Sequence, residues 1–194
     1  MIAFLKGNFV RKTPAMVHVE VNGVGYEVHI SLNTYSEIVS RDHGTLHTYF
    51  QVREDAHLLF GFFEESEKEM FIQLLSVSGV GASTARMMLS AMKPTEIASA
   101  IIQGNTKLLE SIKGIGKKSA ERIILELRDK VHKTIGPVNN GALINNSLEG
   151  DALNALISLG IARNISEQAI SKVRKNDPDL QKIEEVIKQA LKYI

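Results

Sequence analysis

The feature that most constrains this chain is a short pattern that occurs twice. Val77-Ser78-Gly79-Val80-Gly81 leads into a segment with helical apolar periodicity, and Ile112-Lys113-Gly114-Ile115-Gly116 does the same further on. Five residue pairs share a spacing of 35: Gly79 and Gly114, Gly81 and Gly116, Ala85 and Ala120, Leu74 and Leu109, and Leu89 and Ile124. This common spacing indicates an internal repeat rather than two chance Gly-x-Gly sequences.

Each copy has the composition of a phosphate-binding turn. Its glycines permit a positive φ and let another backbone come close. A helix that begins at about Lys117 would present unpaired N–H groups at the positive end of its dipole, and Lys117 and Lys118 add full charges there. The pattern resembles the helix-hairpin-helix motif, which grips a nucleic-acid backbone without reading bases. The alternative is a glycine-rich turn that only connects two helices.

Charge is distributed unevenly along the chain, although the net charge is only +1. Residues 1–62 hold five Lys/Arg and six Asp/Glu, a net of −1. Residues 70–135 hold ten Lys/Arg and five Asp/Glu, a net of +5, and residues 136–194 hold seven of each. Basic charge is therefore concentrated on the segment with the repeat, as phosphate binding requires.

The N-terminal third has the alternating pattern of β-strands. Ala15 to Asn22, Val24 to Ile30, Leu46 to Val52 and Ala56 to Phe63 read as strands, with an opening strand around residues 2–11. These short strands suit a small closed barrel such as an OB-fold, with an SH3-like barrel as the alternative. Three aromatic residues could stack on single-stranded bases, but no basic stripe accompanies them, so packing in the core and at subunit contacts is favoured: Tyr26, Tyr49 and Phe50.

The remaining segments read as helices around one polar stretch. The acidic run 64–69 opens a helix and is interpreted as a dipole cap rather than a catalytic set. The Gly/Asn-rich run 134–147 predicts a flexible linker, and three short helices follow it. We therefore expect an OB-fold barrel over 1–63, a tandem helix-hairpin-helix domain over 64–133, a linker over 134–148 and a UBA-like three-helix domain over 149–194 that binds another protein.

Several functional classes lack their sequence signals. The chain has no cysteine, hence neither a disulfide nor a thiolate metal site. It has no apolar run of membrane-spanning length and no signal peptide, so we expect a cytoplasmic protein. The sequence has no P-loop, because Lys118 stands where the motif needs serine or threonine after Gly116-Lys117, and Ser111 stands where it needs its first glycine. The histidines show no ligand spacing, and no serine lies in a nucleophile elbow. We expect no cofactor and no catalytic site.

The chain as a whole resembles the RuvA family, the Holliday junction-binding subunits of bacterial branch migration complexes. The resemblance rests on the barrel, on Val52-Arg53-Glu54-Asp55-Ala56 before an apolar strand, on the paired hairpins, and on the linker and helical tail. It implies a homotetramer that holds a four-way DNA junction open and flat in homologous recombination, DNA repair and the SOS response. It also implies that the tail binds the RuvB ring ATPase, with the RuvC resolvase as a further partner. Whether one tetramer or an octamer of two acts on the junction stays open.

The resemblance also implies site residues by their positions in the motifs. The DNA-binding set comprises Gly79, Val80, Gly81, Ser83, Arg86, Gly114, Ile115, Gly116, Lys117, Lys118 and Arg122. An acidic pin at the crossover is formed by Glu54 and Asp55. The partner surface of the tail comprises Leu156, Leu159, Gly160 and Ile161. The first hairpin departs from the family pattern, since Ala82-Ser83 stand where Pro-Lys is common, and the tail lacks the aromatic residue that often follows its glycine.

Two other interpretations remain. A generic duplex-binding scaffold would have the hairpins but no preference for junctions. A helix-hairpin-helix glycosylase would need a catalytic aspartate well beyond the motif, and Asp129 comes too early and on a predicted helix.

Overall fold

The structure is a computed structural model that describes residues 1–134, 148–177 and 180–194. The described residues form two compact units, one on each side of residues 135–147. The linker that we predict over 134–148 therefore falls almost entirely outside the described residues.

The first unit opens with a closed five-stranded barrel. Its strands are β1 (Phe4–Thr13), β2 (Met16–Val21), β3 (Val24–Ile30), β4 (His43–Val52) and β5 (His57–Phe62), in the barrel order β1-β2-β3-β5-β4. All neighbouring strands are antiparallel except β3 and β5, which pair in parallel. Because side chains alternate along a strand, one apolar set fills the interior. The barrel of the OB type that the strand pattern predicts is confirmed.

A short helix, α1 (Leu32–Ile38), connects β3 to β4 and was not among the predicted elements. Ser31 caps it, since the Ser31 hydroxyl oxygen accepts a hydrogen bond from the Thr34 N–H at 3.0 Å. The side chain of Asn33 on this helix donates to the Leu89 and Met92 carbonyls at 2.6 and 3.1 Å, so α1 holds the barrel against the helices that follow.

Five helices complete the first unit: α2 (Glu65–Leu75), α3 (Ala82–Ala91), α4 (Pro94–Gln103), α5 (Thr106–Glu110) and α6 (Lys117–Thr134). Phe71 on α2 packs against Phe62 and Phe60 of β5, with ring centroids 4.9 and 5.2 Å apart. Phe60 and Phe62 of β5 thus belong to the hydrophobic core of these helices, whereas the barrel interior forms a separate core around Val17, Val28 and Leu46.

The three aromatic side chains considered for base stacking have packing roles. The Tyr49 ring meets the edge of Phe71 at 5.5 Å, next to the core of the helices. Tyr26 and Phe50 are partly buried against the barrel core. These contacts agree with the packing role that the missing basic stripe favours.

Glu67 does more than cap α2. It is 3% exposed, and its carboxylate accepts hydrogen bonds from the Ser31 hydroxyl and, at 2.6 Å, from the Thr34 hydroxyl. Burial raises the pKa of this carboxyl, and the two hydroxyl groups partly counteract the rise. One residue of the predicted acidic cap is therefore an internal link between α2 and α1.

The second unit is a three-helix module, as the sequence predicts. It comprises α7 (Leu148–Ser158), α8 (Arg163–Asn176) and α9 (Ile183–Ala190), followed by a 3-10 turn at Leu191–Tyr193. Its small core is made by apolar residues from all three helices: Ala152, Leu156, Ala169, Ile170, Val173, Val186 and Ala190.

Candidate nucleic-acid interface

Two tight turns carry the repeated glycines. We call them hairpin 1 (Gly79–Gly81), between α2 and α3, and hairpin 2 (Gly114–Gly116), between α5 and α6. The first glycine of each turn has a positive φ, +87° at Gly79 and +92° at Gly114. Residues with a Cβ rarely adopt this conformation, so the turn itself requires glycine at these two positions.

The internal hydrogen bonds of the two turns repeat at the same spacing of 35. The Ser76 and Ser111 hydroxyls donate to the Gln73 and Leu108 carbonyls, both at 2.7 Å. The N–H groups of Ala85 and Ala120 donate to the Gly81 and Gly116 carbonyls at 2.9 and 3.0 Å. The sequence repeat is therefore also a repeat of backbone geometry, which a chance pair of Gly-x-Gly sequences would not produce.

The central residue of each turn anchors it to the core. Val80 and Ile115 are 6% and 5% exposed, and both belong to the core of the first unit. Their N–H groups donate to the Val77 and Ile112 carbonyls at 3.1 and 3.0 Å. These amides are thus used within the turns, and the two residues support the hairpins from beneath.

The second glycine of each turn lies at the start of a helix with open space beside it. Gly81 caps α3 in an extended conformation, with φ −89° and ψ 169°. A Cβ added at Gly81 or at Gly116 would meet no protein atom within 4 Å. The fold itself therefore has room for a side chain at both positions. Because glycine has none, an anionic ligand can approach the unpaired first-turn N–H groups of α3 and α6.

Cations border hairpin 2 more densely than hairpin 1. Lys117 and Lys118 are exposed at the start of α6, and Lys117 lies 4.0 Å from Glu121, an exposed pair of little strength. Ser83 occupies the position in hairpin 1 that corresponds to Lys118. An exposed hydroxyl therefore stands where hairpin 2 has an ammonium group.

The two predicted arginines have contacts within the protein. Arg86 Nη1 donates to the Ala15 carbonyl of the barrel at 2.9 Å, and burial lowers the Arg86 pKa. This contact links α3 to the barrel domain, and the assignment of Arg86 to the DNA-binding set stays a prediction. Arg122 Nη1 donates to the Ser78 carbonyl at 3.1 Å, so a side chain of α6 reaches the approach to hairpin 1.

The predicted acidic pin lies on the loop between β4 and β5. Glu54 and Asp55 are exposed, and the Arg53 N–H closes the loop by donating to the Ala56 carbonyl at 2.8 Å. Arg53 itself donates to the Gln51 side chain at 3.3 Å. Within residues 1–134, 148–177 and 180–194, neither pin carboxylate forms an ion pair.

The residues predicted for the tail surface differ in exposure. Leu156 is fully buried in the core of the second unit, and its side chain therefore has a packing role instead of facing a partner. Gly160, with φ +89°, ends α7 through hydrogen bonds from the Gly160 and Ile161 N–H groups to Ile157 and Leu156. Ile161 is partly buried against the core, whereas Leu159 is 64% exposed.

Among the residues that the structure describes, no group of three or more acidic or histidine side chains could hold a metal ion. In the same part of the chain, no helix combines the length and the apolar composition needed to cross a bilayer.

The chain is similar to known proteins over its whole length. The RuvA N terminal domain model matches residues 1–61, a SAM-like helix-hairpin-helix tandem model matches 71–129, and the RuvA C-terminal domain model matches 147–194. The protein named Holliday junction branch migration complex subunit RuvA from Christiangramia forsetii is 45% identical over 194 residues, with both chains covered in full. Its namesakes are 44% identical over 194 residues in Flavobacterium psychrophilum, with full coverage of both chains, and 41% identical over 197 residues in Cytophaga hutchinsonii, with 99% of each covered. The chain therefore belongs to the RuvA family.

Proposed function

We propose that this protein binds four-way Holliday junctions without sequence specificity and serves as the DNA-binding subunit of a branch migration complex, whose ATPase is a separate protein. The relatives carry this function in their names. The observation that carries the proposal within the chain is the pair of equivalent hairpins, each with a bare glycine before free helix N–H groups.

The hairpins suit recognition by shape. A backbone amide at a helix start accepts any phosphate equally, so it positions DNA without reading bases. Lys117 and Lys118 add an electrostatic contribution to the affinity for DNA, and this contribution decreases as the salt concentration rises. Because every phosphate offers the same contact, such grips also allow the arms to slide during branch migration.

Assembly would multiply these weak contacts. We propose a homotetramer, in which closed symmetry brings one pair of hairpins from each subunit to the arms. The barrel strands expose large apolar side chains that subunit contacts would cover, at Phe4, Val10, Val24 and Val52, and the end of α1 adds Val39. The mass of the complex on a junction, measured by light scattering, distinguishes one tetramer from two.

Glu54 and Asp55 would lie at the centre of such a tetramer. Unpaired carboxylates there repel phosphates, so they would keep a continuous duplex out of the centre and guide strands apart. The proposal rests on their exposure, on the lack of ion pairs described above, and on the match to the family motif.

We propose that residues 149–194 bind RuvB. We also propose that RuvC is a further partner of the assembled complex and that the complex is located in the cytoplasm. Three exposed apolar side chains of this unit are available to a partner, those of Ile157, Leu159 and Ile165. The barrel over 1–63, the hairpin domain over 64–133 and the linker over 134–148 complete the proposed domain plan.

Competition between DNA forms tests this function. Labelled four-way junction is bound by the full chain at fixed salt, and unlabelled junction or linear duplex of the same sequences is added. We expect the junction to compete at far lower concentration than the duplex. Equal competition would identify a generic duplex-binding scaffold, and base release from damaged DNA would identify a glycosylase.

A further inference from the structure

Helix α6 is connected to hairpin 1 as well as to hairpin 2, which it follows in sequence. Arg122 Nη1 donates to the Ser78 carbonyl at 3.1 Å, directly before Gly79. A Cβ built on Gly79 would lie 3.7 Å from the same nitrogen, so the guanidinium group rests against the turn. Just over two helical turns later, Lys130 Nζ lies 3.1 Å from the Ser76 hydroxyl oxygen. Two basic side chains of α6 therefore contact the segment that enters hairpin 1.

The repeat supplies a built-in comparison for this contact. The residue that corresponds to Arg122 in the first copy is Met87 on α3. A Cβ built on Gly114 would lie 3.9 Å from the Met87 sulfur, so each of these side chains reaches toward the hairpin of the other copy. Only Arg122 can donate a hydrogen bond in this position, since methionine has no donor.

We propose that Arg122 is a positioning residue that fixes hairpin 1 against α6, so that the two hairpins present their phosphate sites at one separation and orientation. This inference rests on the proposed function and adds to it. It gives Arg122 a role within the protein, in place of the phosphate contact that its charge and its place in the motif imply.

Hairpin 1 depends on such support more than hairpin 2 does. Its first turn has Ser83 where hairpin 2 has Lys118, so α3 itself offers phosphate amides and a hydroxyl but no ammonium group at that position. A weakly binding hairpin adds to the affinity for DNA only if it lies where DNA bound to the other hairpin can reach it. The reason is that the effective concentration of the second contact depends on the geometry that links the two sites. Arginine suits this task, since one of its five N–H donors can fix a carbonyl while the charge stays in solvent.

Hydrogen exchange in the absence of DNA tests the positioning role by itself. In the full chain, Arg122→Met should speed exchange in peptides that cover residues 76–83 and leave residues 111–118 unchanged. Met87→Ala is the matched control, since it alters the equivalent position of the other copy and should leave residues 76–83 unchanged. Equal acceleration at both hairpins, or acceleration at neither, would overturn the proposal. Arg122 is exposed, so the substitution should leave the unfolding temperature nearly unchanged, and this is measured in parallel.

A double-mutant cycle then tests the link to DNA binding. Arg122→Met should weaken junction binding roughly tenfold, the order expected when one of two linked contacts is displaced. In a Gly81→Val background, where the added side chain blocks hairpin 1, the same substitution should cost less than about twofold, because coupled sites are not additive. Lys118→Met, the control with one charge removed, should cost the same factor in both backgrounds.

A loss from Arg122→Met that is equally large in both backgrounds would identify Arg122 as an independent phosphate contact and would overturn the positioning role. If the unmodified chain showed no junction binding at all, the proposed function would fail. The exchange experiment would still decide whether Arg122 fixes hairpin 1.

Discussion

Removal of the Glu67 side chain should destabilise the first unit strongly, because two buried hydroxyl groups depend on it. The Ser31 and Thr34 hydroxyl oxygens already accept the N–H groups of Thr34 and Phe63, each at 3.0 Å, and both hydroxyls donate to the Glu67 carboxylate. Glu67→Ala leaves both donors without an acceptor. At about 1–3 kcal/mol for each buried group left unsatisfied, we expect a loss of about 2–6 kcal/mol in the free energy of unfolding.

Glu67→Gln separates the charge from the hydrogen bonds. The amide oxygen can still accept from one hydroxyl, and the substitution removes the cost of burying a charge, so we expect a change within about 1 kcal/mol near neutral pH. Burial raises the pKa of the Glu67 carboxyl in the folded state. The folded protein then holds this proton to a higher pH than the unfolded chain does, so the Glu67 contribution is present at low pH and is lost as pH rises through the folded pKa.

The assay is urea unfolding followed by far-UV circular dichroism at a series of pH values from about 4 to 8, the range over which a raised carboxyl pKa is titrated. The stability of Glu67→Gln relative to the wild type should rise with pH and then level off. Glu65→Gln on the same helix turn is the control, since Glu65 is exposed and its removal should show no such rise. A pH-independent difference for Glu67→Gln, or a loss for Glu67→Ala no larger than for Glu65→Ala, would refute the reasoning.

Three further outcomes follow from the site. Gly116→Ser should weaken junction binding without lowering the unfolding temperature, since the position is open and serine caps helices well. Gly79→Ala should lower the unfolding temperature, because φ is +87° at this position. Equal losses of unfolding temperature in the two variants would contradict this contrast. A fragment that ends at Asn140 should bind junctions but fail to stimulate branch migration with RuvB, and full stimulation would remove the tail from the partner role. Glu54→Gln with Asp55→Asn should tighten binding to linear duplex more than to junctions at fixed salt, and unchanged binding to both would make the loop an ordinary turn.

The repeat shows how far sequence reasoning reaches in this protein. The spacing of 35 predicts the two hairpins because glycine at a positive φ and apolar residues at helical spacing are local signals. Strand alternation likewise predicts the barrel, since the period of two directly reflects which side chains face the interior. Both predictions depend on residues close together in the chain.

What the sequence did not reveal depends on distant partners. Glu67 sits in an acidic run that is typical of a helix start, and its burial follows from Ser31 and Thr34, more than thirty residues earlier. The hydrogen bond from Arg86 to the Ala15 carbonyl likewise joins residues far apart in the chain, so the sequence alone does not predict it. Leu156 is different, because its spacing of four from the buried Ala152 is a local signal that could have identified it as a core residue.

The salt dependence of junction binding tests the central claim, that the hairpins grip phosphates, most directly. Junction affinity is measured over a range of salt concentrations for the wild type, for Lys117→Ala with Lys118→Ala, and for Lys172→Ala with Lys175→Ala, which removes the same charge from the exposed face of α8. The hairpin variant should weaken binding to all junction sequences alike and flatten the plot of log K against log salt by about 0.9 for each phosphate that the protein no longer neutralises. The α8 variant should keep the wild-type slope. A hairpin variant that keeps both the wild-type affinity and the wild-type slope would contradict the account.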